Sequence, residues 1–302
     1  MFKHILVPLD GSPMAEAALP VALSLATRAA GRITVLHVVE PHAPATVHGA
    51  PHLRAATEAA AYLARVAECC RAAGVEVACH VHDESAGAVA QSIAAHVREL
   101  GPDTIVMARH GRAGLRGMLF GSLAEQVASA GTIPVLLVHA RDAAPHDFAC
   151  ERILIPHDGD PAHSPSLTAG LALARLYGAD VRLLAVVPTR GTLSGARQAV
   201  GTLLPGLTRV MLDVEEADFV RHLESHVREL AGPGINLGAA VVRGEPARMI
   251  ARAARDYRAS VVVMATHGHA GTKAFWEDSK AARVCAWTEA AVLLVPAQRV
   301  SA

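Results

Sequence analysis

The chain of 302 residues carries no excess charge: 28 Lys and Arg balance 28 Asp and Glu, so it has no electrostatic footprint for a long polyanion. Nucleic acid is therefore not expected as a partner. No apolar run reaches the roughly 18–20 residues of a membrane span, although 52% of the residues are hydrophobic. Met1-Phe2-Lys3 leads straight into a strand with no signal sequence, and no membrane association and a cytoplasmic location are expected. The five cysteines (Cys69, Cys70, Cys79, Cys150, Cys285) include no Cys-x-x-Cys, and an odd set with one adjacent pair suits neither a disulfide framework nor a zinc site. Reduced, mostly buried thiols are expected. Of the 17 histidines, His42, His48 and His52 share one Pro- and Ala-rich segment, but no carboxylate or cysteine accompanies them at a ligand spacing. That segment reads as a solvated loop, and no metal site is assigned.

What the chain does have is a glycine-rich stretch behind an apolar one. Thr104 to Ser129 reads as strand, loop and helix: Ile105 to Met107 suits a strand buried on both faces, Gly111, Gly114, Gly117 and Gly121 permit positive φ, and Ser122 opens a helix. Such a loop aims backbone N–H groups and the positive end of a helix dipole at one spot, a generic anion site with phosphate as the natural occupant. No Gly-Lys-Ser/Thr ends it, and no Gly-x-Gly-x-x-Gly follows the first strand, which separates it from the Walker loop and the dinucleotide fingerprint. A glycine-rich surface loop without a ligand has the same composition, and that reading stays open.

In chain order, Ile5 to Asp10 is a buried strand ending on a carboxylate, followed by Gly11 and by Ser12-Pro13, a helix cap with proline in the first turn. The helix is predicted to run to about Ala30 with Pro20 inside it. Ile33 to Val39 is a second strand, residues 41–52 a loop, Leu53 to Ala73 a helix, Val75 to Val81 a strand, Gly87 to Leu100 a helix and Thr132 to His139 a fifth strand. This alternation implies parallel strands joined by right-handed crossovers. The programme then repeats. Ile153-Leu-Ile-Pro-His-Asp-Gly159 matches Ile5-Leu-Val-Pro-Leu-Asp-Gly11, Met264-Ala-Thr-His-Gly268 matches Met107-Ala-Arg-His-Gly111, and Val292 to Ala297 matches Val135 to Ala140. The prediction is an α/β protein of two tandem doubly wound domains, 1–140 and 151–302, each a five-stranded parallel sheet with helices on both faces. Polar Arg141 to Cys150 links them. The offset grows from 148 (Ile5 to Ile153) to 157 (Met107 to Met264), and the nine extra residues are expected in a Gly/Thr-rich loop, Thr189 to Thr208. The apolar last strands, Val135 to Val138 and Val292 to Val295, predict an intrachain pseudo-dimer, with further dimerisation left open.

Gly111, nine residues and then Gly121-Ser122 resemble the universal stress protein signature Gly-x-x-Gly-(nine residues)-Gly-Ser, with Ala108 where the family's first glycine would stand. Together with the repeat, the resemblance covers nearly the whole chain as a tandem universal stress protein. It implies a five-stranded parallel α/β fold and, for one class of the family, ATP held by the glycine loop. The resemblance implies adenine and ribose contacts from Pro8, Leu9, Asp10, Val38, Met107 and Ala108, and phosphate contacts from Gly111, Arg112, Gly121, Ser122 and Leu123.

The residue types suit these roles. Asp10 can accept hydrogen bonds from vicinal ribose hydroxyls or can cap the next helix, Ser122 offers a hydroxyl and an N–H, and Arg112 or Arg116 can neutralise phosphate. In the second copy, Asp278-Ser279 replaces Gly121-Ser122, Glu277 adds negative charge, and Phe275 and Trp276, two of the chain's few aromatics, stand just before it. ATP, with or without Mg2+, is therefore expected in the N-terminal domain only. No nucleophile with a base and no acidic pair for catalytic magnesium is evident, so the chain reads as no more than a slow ATPase, with His110 structural. The implied function is a cytoplasmic stress-response protein that binds ATP or a related adenine nucleotide and presents the occupied state to an unnamed protein partner. The alternative, toward which Ala108 leans, is a stress protein without nucleotide that acts through protein–protein contacts.

Overall fold

The computed structural model describes residues 1–40, 44–83, 88–109, 122–129, 133–140, 148–193, 195–230, 234–266 and 280–298. Two compact units form, one of Met1–Ala149, Thr266–Trp276 and Ala291–Pro296, the other of Cys150–Ala265, Glu277–Ala290 and Ala297–Ala302. The first contains β1 (His4–Pro8), α1 (Pro13–Glu16), α2 (Leu19–Ala29), β2 (Arg32–Val38), β3 (Thr46–Val47), β4 (Ala50–Pro51), α3 (Ala56–Ala72), β5 (Glu76–His82), α4 (Val89–Leu100), β6 (Thr104–Arg109), α5 (Ser122–Ser129) and β7 (Val135–His139). The second contains β8 (Arg152–Pro156), α6 (Ser164–Tyr177), β9 (Asp180–Val187), α7 (Gly195–Leu203), α8 (Pro205–Leu230), β10 (Leu237–Arg243), α9 (Pro246–Asp256), β11 (Val261–Thr266) and α10 (Lys280–Trp287). The last strand, β12 (Ala291–Pro296), belongs to the first unit.

The first sheet runs β5-β2-β1-β6-β7 with every neighbouring pair parallel. Ile5, Leu6 and Val7 of β1 have no exposed surface, as a central parallel strand covered by helices on both faces requires. Burying each such side chain stabilises the fold by about 1.5–3 kcal/mol. On α4 the buried residues Ala90, Ile93 and Val97 recur every three or four positions, so one stripe faces the sheet while Arg98 and Glu99 stay outside. At the apolar edge, β12 pairs antiparallel with β7, setting Val292, Leu293 and Leu294 opposite Leu137, Leu136 and Val135. The second unit repeats the parallel order as β10-β9-β8-β11. Ile5 pairs with Thr104 in one unit and Ile153 with Val261 in the other, the positions that the repeat aligns.

Three local expectations are corrected. Pro20 does not sit inside one long helix: the chain breaks at Ala17 and Ala18, and the proline occupies the first turn of α2, where its missing N–H has no intrahelical acceptor. The segment predicted as loop over 41–52 contains the β3–β4 hairpin, whose tip His48-Gly49 has φ of 48° and 81°, as a two-residue type I′ turn demands. Thr189 to Thr208 is not a glycine loop either. It holds a short 3-10 turn at Arg190–Thr192, then α7 and the start of α8. Pro205 starts α8, and Gly201 allows close packing, since a Cβ there would lie 3.3 Å from Leu193 Cδ1.

Candidate functional site

In the first unit the winding reverses between β1 and β6, since β2 and β5 lie on one side of β1 while β6 and β7 lie on the other. In open parallel sheets such a reversal leaves a crevice beyond the carboxyl ends of the strands. Pro8 ends β1, Leu9 and Asp10 follow it, Val38 ends β2, and Met107 and Ala108 lie near the end of β6. Ser122 opens α5, with half-buried Leu123 next. The fold thus brings Pro8, Leu9, Asp10, Met107 and Ala108 to the ends of the two strands at the reversal and Val38 to the end of the neighbouring one. Gly111, Arg112 and Gly121 lie outside the described residues, as do His110, Arg116 and the side chain of Ser122.

Leu9 is pinned from both ends. Its N–H donates to the Leu36 carbonyl at 2.8 Å, and its own carbonyl accepts from Nδ1 of buried His37 at 2.7 Å. The turn beyond it needs Gly11, at φ +88° and with the Leu53 side chain 2.9 Å from where a Cβ would be. Asp10 then folds back on this turn: Oδ1 accepts from Ser12 N–H at 2.9 Å and from Ser12 Oγ at 2.6 Å. Ser12 is the cap of α1, accepting from Ala15 N–H at 3.2 Å, so Asp10 supports the cap without being it. Only Oδ2 is turned elsewhere, toward Nε2 of His48 at 3.5 Å.

That last contact, like the 3.7 Å approach of His52 Nε2 to Glu40 Oε1, brings a carboxylate to these histidines from outside their own segment. Both partners come from strand ends outside the hairpin, which spacing within the segment does not reveal. His42 lies outside the described residues. Arg109, a further residue that sequence reasoning passed over, is buried at the last position of β6, immediately before the glycine-rich stretch.

The second unit uses its matching aspartate in the same way. Asp158 Oδ1 accepts from Asp160 N–H at 3.2 Å and from His163 Nδ1 at 2.7 Å. Burial works upward on this carboxyl, but the His163 ring and the Asp160 N–H outweigh it and hold Asp158 below the usual carboxylate range. Asp158 and Gly159 line an open cavity of about 700 Å3 together with Val210, Met211, Val214 and Phe219 of α8, with Arg197 of α7 ion-paired to Glu215 at 2.6 Å. Next to it stands buried His157, whose imidazole burial pushes below its ordinary range, opposed by Asp158 and assisted by His226 and His222. The last two, one helical turn apart on α8, were legible as a His-x-x-x-His pair but carried no weight until α8 brought them to His157. Gly268, Glu277, Asp278 and Ser279 lie outside the described residues.

Comparison with known proteins follows the same division. Universal stress protein YxiE of Bacillus subtilis is 29% identical over 150 residues, which is 46% of this chain and 99% of the relative. Among solved structures, a protein of unknown function from Pseudomonas aeruginosa PAO1 superposes with a TM-score of 0.69 at 17% identity, covering 98% of this chain and 92% of the other. A universal stress protein from Archaeoglobus fulgidus DSM 4304 gives 0.66 at 16% identity, covering 100% and 98%. At these identities the structural likeness speaks for the fold alone. The family itself is matched twice, over residues 1–139 and 150–296, and the chain belongs to the universal stress protein family, with two copies of its fold in tandem.

Proposed function

We propose that this universal stress protein binds ATP, with or without Mg2+, in its first repeat, and that it works as a cytoplasmic regulatory module whose occupied state is read by a protein partner. The observation that carries the reading is the meeting of two features at one reversal point. Asp10 stands at the end of β1, and β6 beside it leads into the stretch holding Gly111 and Gly121, after which α5 begins at Ser122. Because Oδ1 of Asp10 is engaged with Ser12, Oδ2 is the oxygen that would receive a ribose hydroxyl, and His48 is the group it would exchange. The apolar ends of β1, β2 and β6 suit the face of an adenine ring. Among the described residues no helix is long and apolar enough to cross a membrane, which fits a module working in water. Catalysis is no more than slow hydrolysis on this reading.

Ala108 favours a second reading, in which no nucleotide binds and the protein acts through its surface, because its methyl group stands where the family signature has glycine. Calorimetric titration of the full chain with ATP separates the two. The first reading expects about one ATP per chain, lost in Gly121→Asp through like-charge repulsion with phosphate and unchanged in Ser279→Ala. No heat of binding in the well-folded wild type would favour the second, and two equivalent sites would contradict the divergence of the repeats.

A further inference from the structure

His157, His222 and His226 in the second unit each offer one ligand atom, and these atoms all lie within 4.8 Å of one another. The three come from two rigid elements. His157 follows the central strand β8, its backbone N–H donating to the Leu184 carbonyl at 2.9 Å, while His222 and His226 occupy positions i and i+4 on one face of the 26-residue α8. Ring centroids are 4.3 Å apart for the helical pair, and 5.5 and 6.4 Å from His157 to His226 and His222.

Two further observations point to a ligand. Nδ1 of His157 is buried without a hydrogen-bond partner on a side chain 6% exposed, an arrangement costing about 1–3 kcal/mol if nothing compensates it. His226 Nδ1 donates to the His222 carbonyl at 3.1 Å, which keeps its proton on Nδ1 and leaves the Nε2 lone pair for a metal, the outer-shell arrangement that metal-binding histidines use.

We propose that these three imidazoles bind a divalent transition cation of the zinc class at the edge of the 700 Å3 cavity, with a fourth position that accepts water or a donor atom of a small molecule held there. His222 belongs to both the trio and the cavity wall, which puts the open position within reach of that space. Neutral nitrogen donors select zinc, cobalt or nickel over magnesium or calcium, which prefer oxygen. Three histidines with one position left open is the ligand count of catalytic zinc sites, not of closed structural ones. A tetrahedron with Zn–N bonds of about 2.0–2.1 Å has N···N edges of roughly 3.3 Å, so closing on the ion takes ring rotations at His222 and His226, both still solvent-accessible. The site stands apart from the nucleotide reading, which concerns the other repeat.

The test is titration of chelator-treated full-length protein with Zn2+ by calorimetry, and with Co2+ by visible absorption. The expected result is one Zn2+ per chain that excess Mg2+ does not displace, and a Co2+ spectrum of four-coordinate intensity. In His222→Ala/His226→Ala the affinity should fall by more than about 100-fold, beyond the ~10–100-fold that loss of an outer-shell partner costs. Circular dichroism of the metal-free form should be unchanged, because neither side chain is buried. His96→Ala, in the separate group of His80, His96 and Glu99, serves as the control and should bind as wild type does. Absence of binding in the wild type overturns the proposal, as does binding that survives the double substitution or disappears in His96→Ala.

Discussion

Gly170 sits in the buried face of α6, and a methyl group there would lie 2.4 Å from Cδ1 and 3.1 Å from Cγ1 of Ile155, with Cγ2 of Val263 at an ordinary 3.6 Å. Two opposing effects therefore act on Gly170→Ala. Overpacking a tight core costs about 1–3 kcal/mol, whereas replacing a helical glycine by alanine returns up to about 1 kcal/mol. The clash dominates because Ile155 has no exposed surface and little room to turn, giving a net loss of about 1–2 kcal/mol. The obstacle is one terminal methyl, however, and Ile155→Val removes it. Alone, Ile155→Val should cost about 0.5–1.5 kcal/mol. In the Ile155→Val background Gly170→Ala should be neutral or stabilising, because the propensity gain remains while the closest contact has gone. Urea unfolding followed by Trp287 fluorescence in a Trp276→Phe background reads the second unit, where Trp287 lies on α10. A double-mutant cycle then gives a favourable coupling of about 1 kcal/mol or more between the two sites. Additive effects, with Gly170→Ala equally harmful in both backgrounds, would refute the packing account.

Three other expectations can be checked on the same footing. Gly31→Ala should be harsher than Gly170→Ala, near the upper end of about 1–3 kcal/mol, since its Cβ would meet the backbone carbonyls of Phe2 at 2.6 Å and Lys3 at 2.9 Å, which cannot rotate away; a melting temperature equal to wild type would contradict this. Ser12→Ala removes the cap of α1 and the hydroxyl donor to Asp10 Oδ1 while the backbone N–H donor stays, so a loss of about 1–2 kcal/mol is expected in chemical denaturation; an effect below a few tenths would mean that the turn holds without the hydroxyl. His4 is held below its usual range by burial and by Arg32, with the Gly101 backbone, Asp103 and Glu76 opposing, and its Nε2 lies 2.9 Å from Thr34 Oγ1. The unfolded chain thus binds more protons below about pH 6.5, so stability should fall as pH drops from there and level off below the depressed native value. His4→Gln should make urea midpoints at pH 5.5 and 7.5 converge relative to wild type, and an unaltered difference would rule out a part for this residue.

Residue order alone determined the repeat, the α/β class and most strands, because a parallel strand buried on both faces must be an unbroken apolar run such as Ile5 to Val7 or Val135 to Val138, bounded by glycine and proline. It also placed Asp10 and the glycine-rich stretch after the strands that turned out to flank the reversal of winding. Where it erred, the competing terms were tertiary. Pro20, expected inside one long helix, lies in the first turn of α2, since a proline's effect depends on whether its N–H position has an acceptor, and packing decides where a helix starts. The share of Asp10 already engaged by Ser12 was invisible for a related reason: a carboxylate has two oxygens, and only the path of the turn at Gly11 shows which one is taken. The histidine cluster was the least legible. His157 lies sixty-five residues from His222 in sequence, and the trio exists only because α8 runs back across the end of β8, a long-range contact that no local spacing encodes.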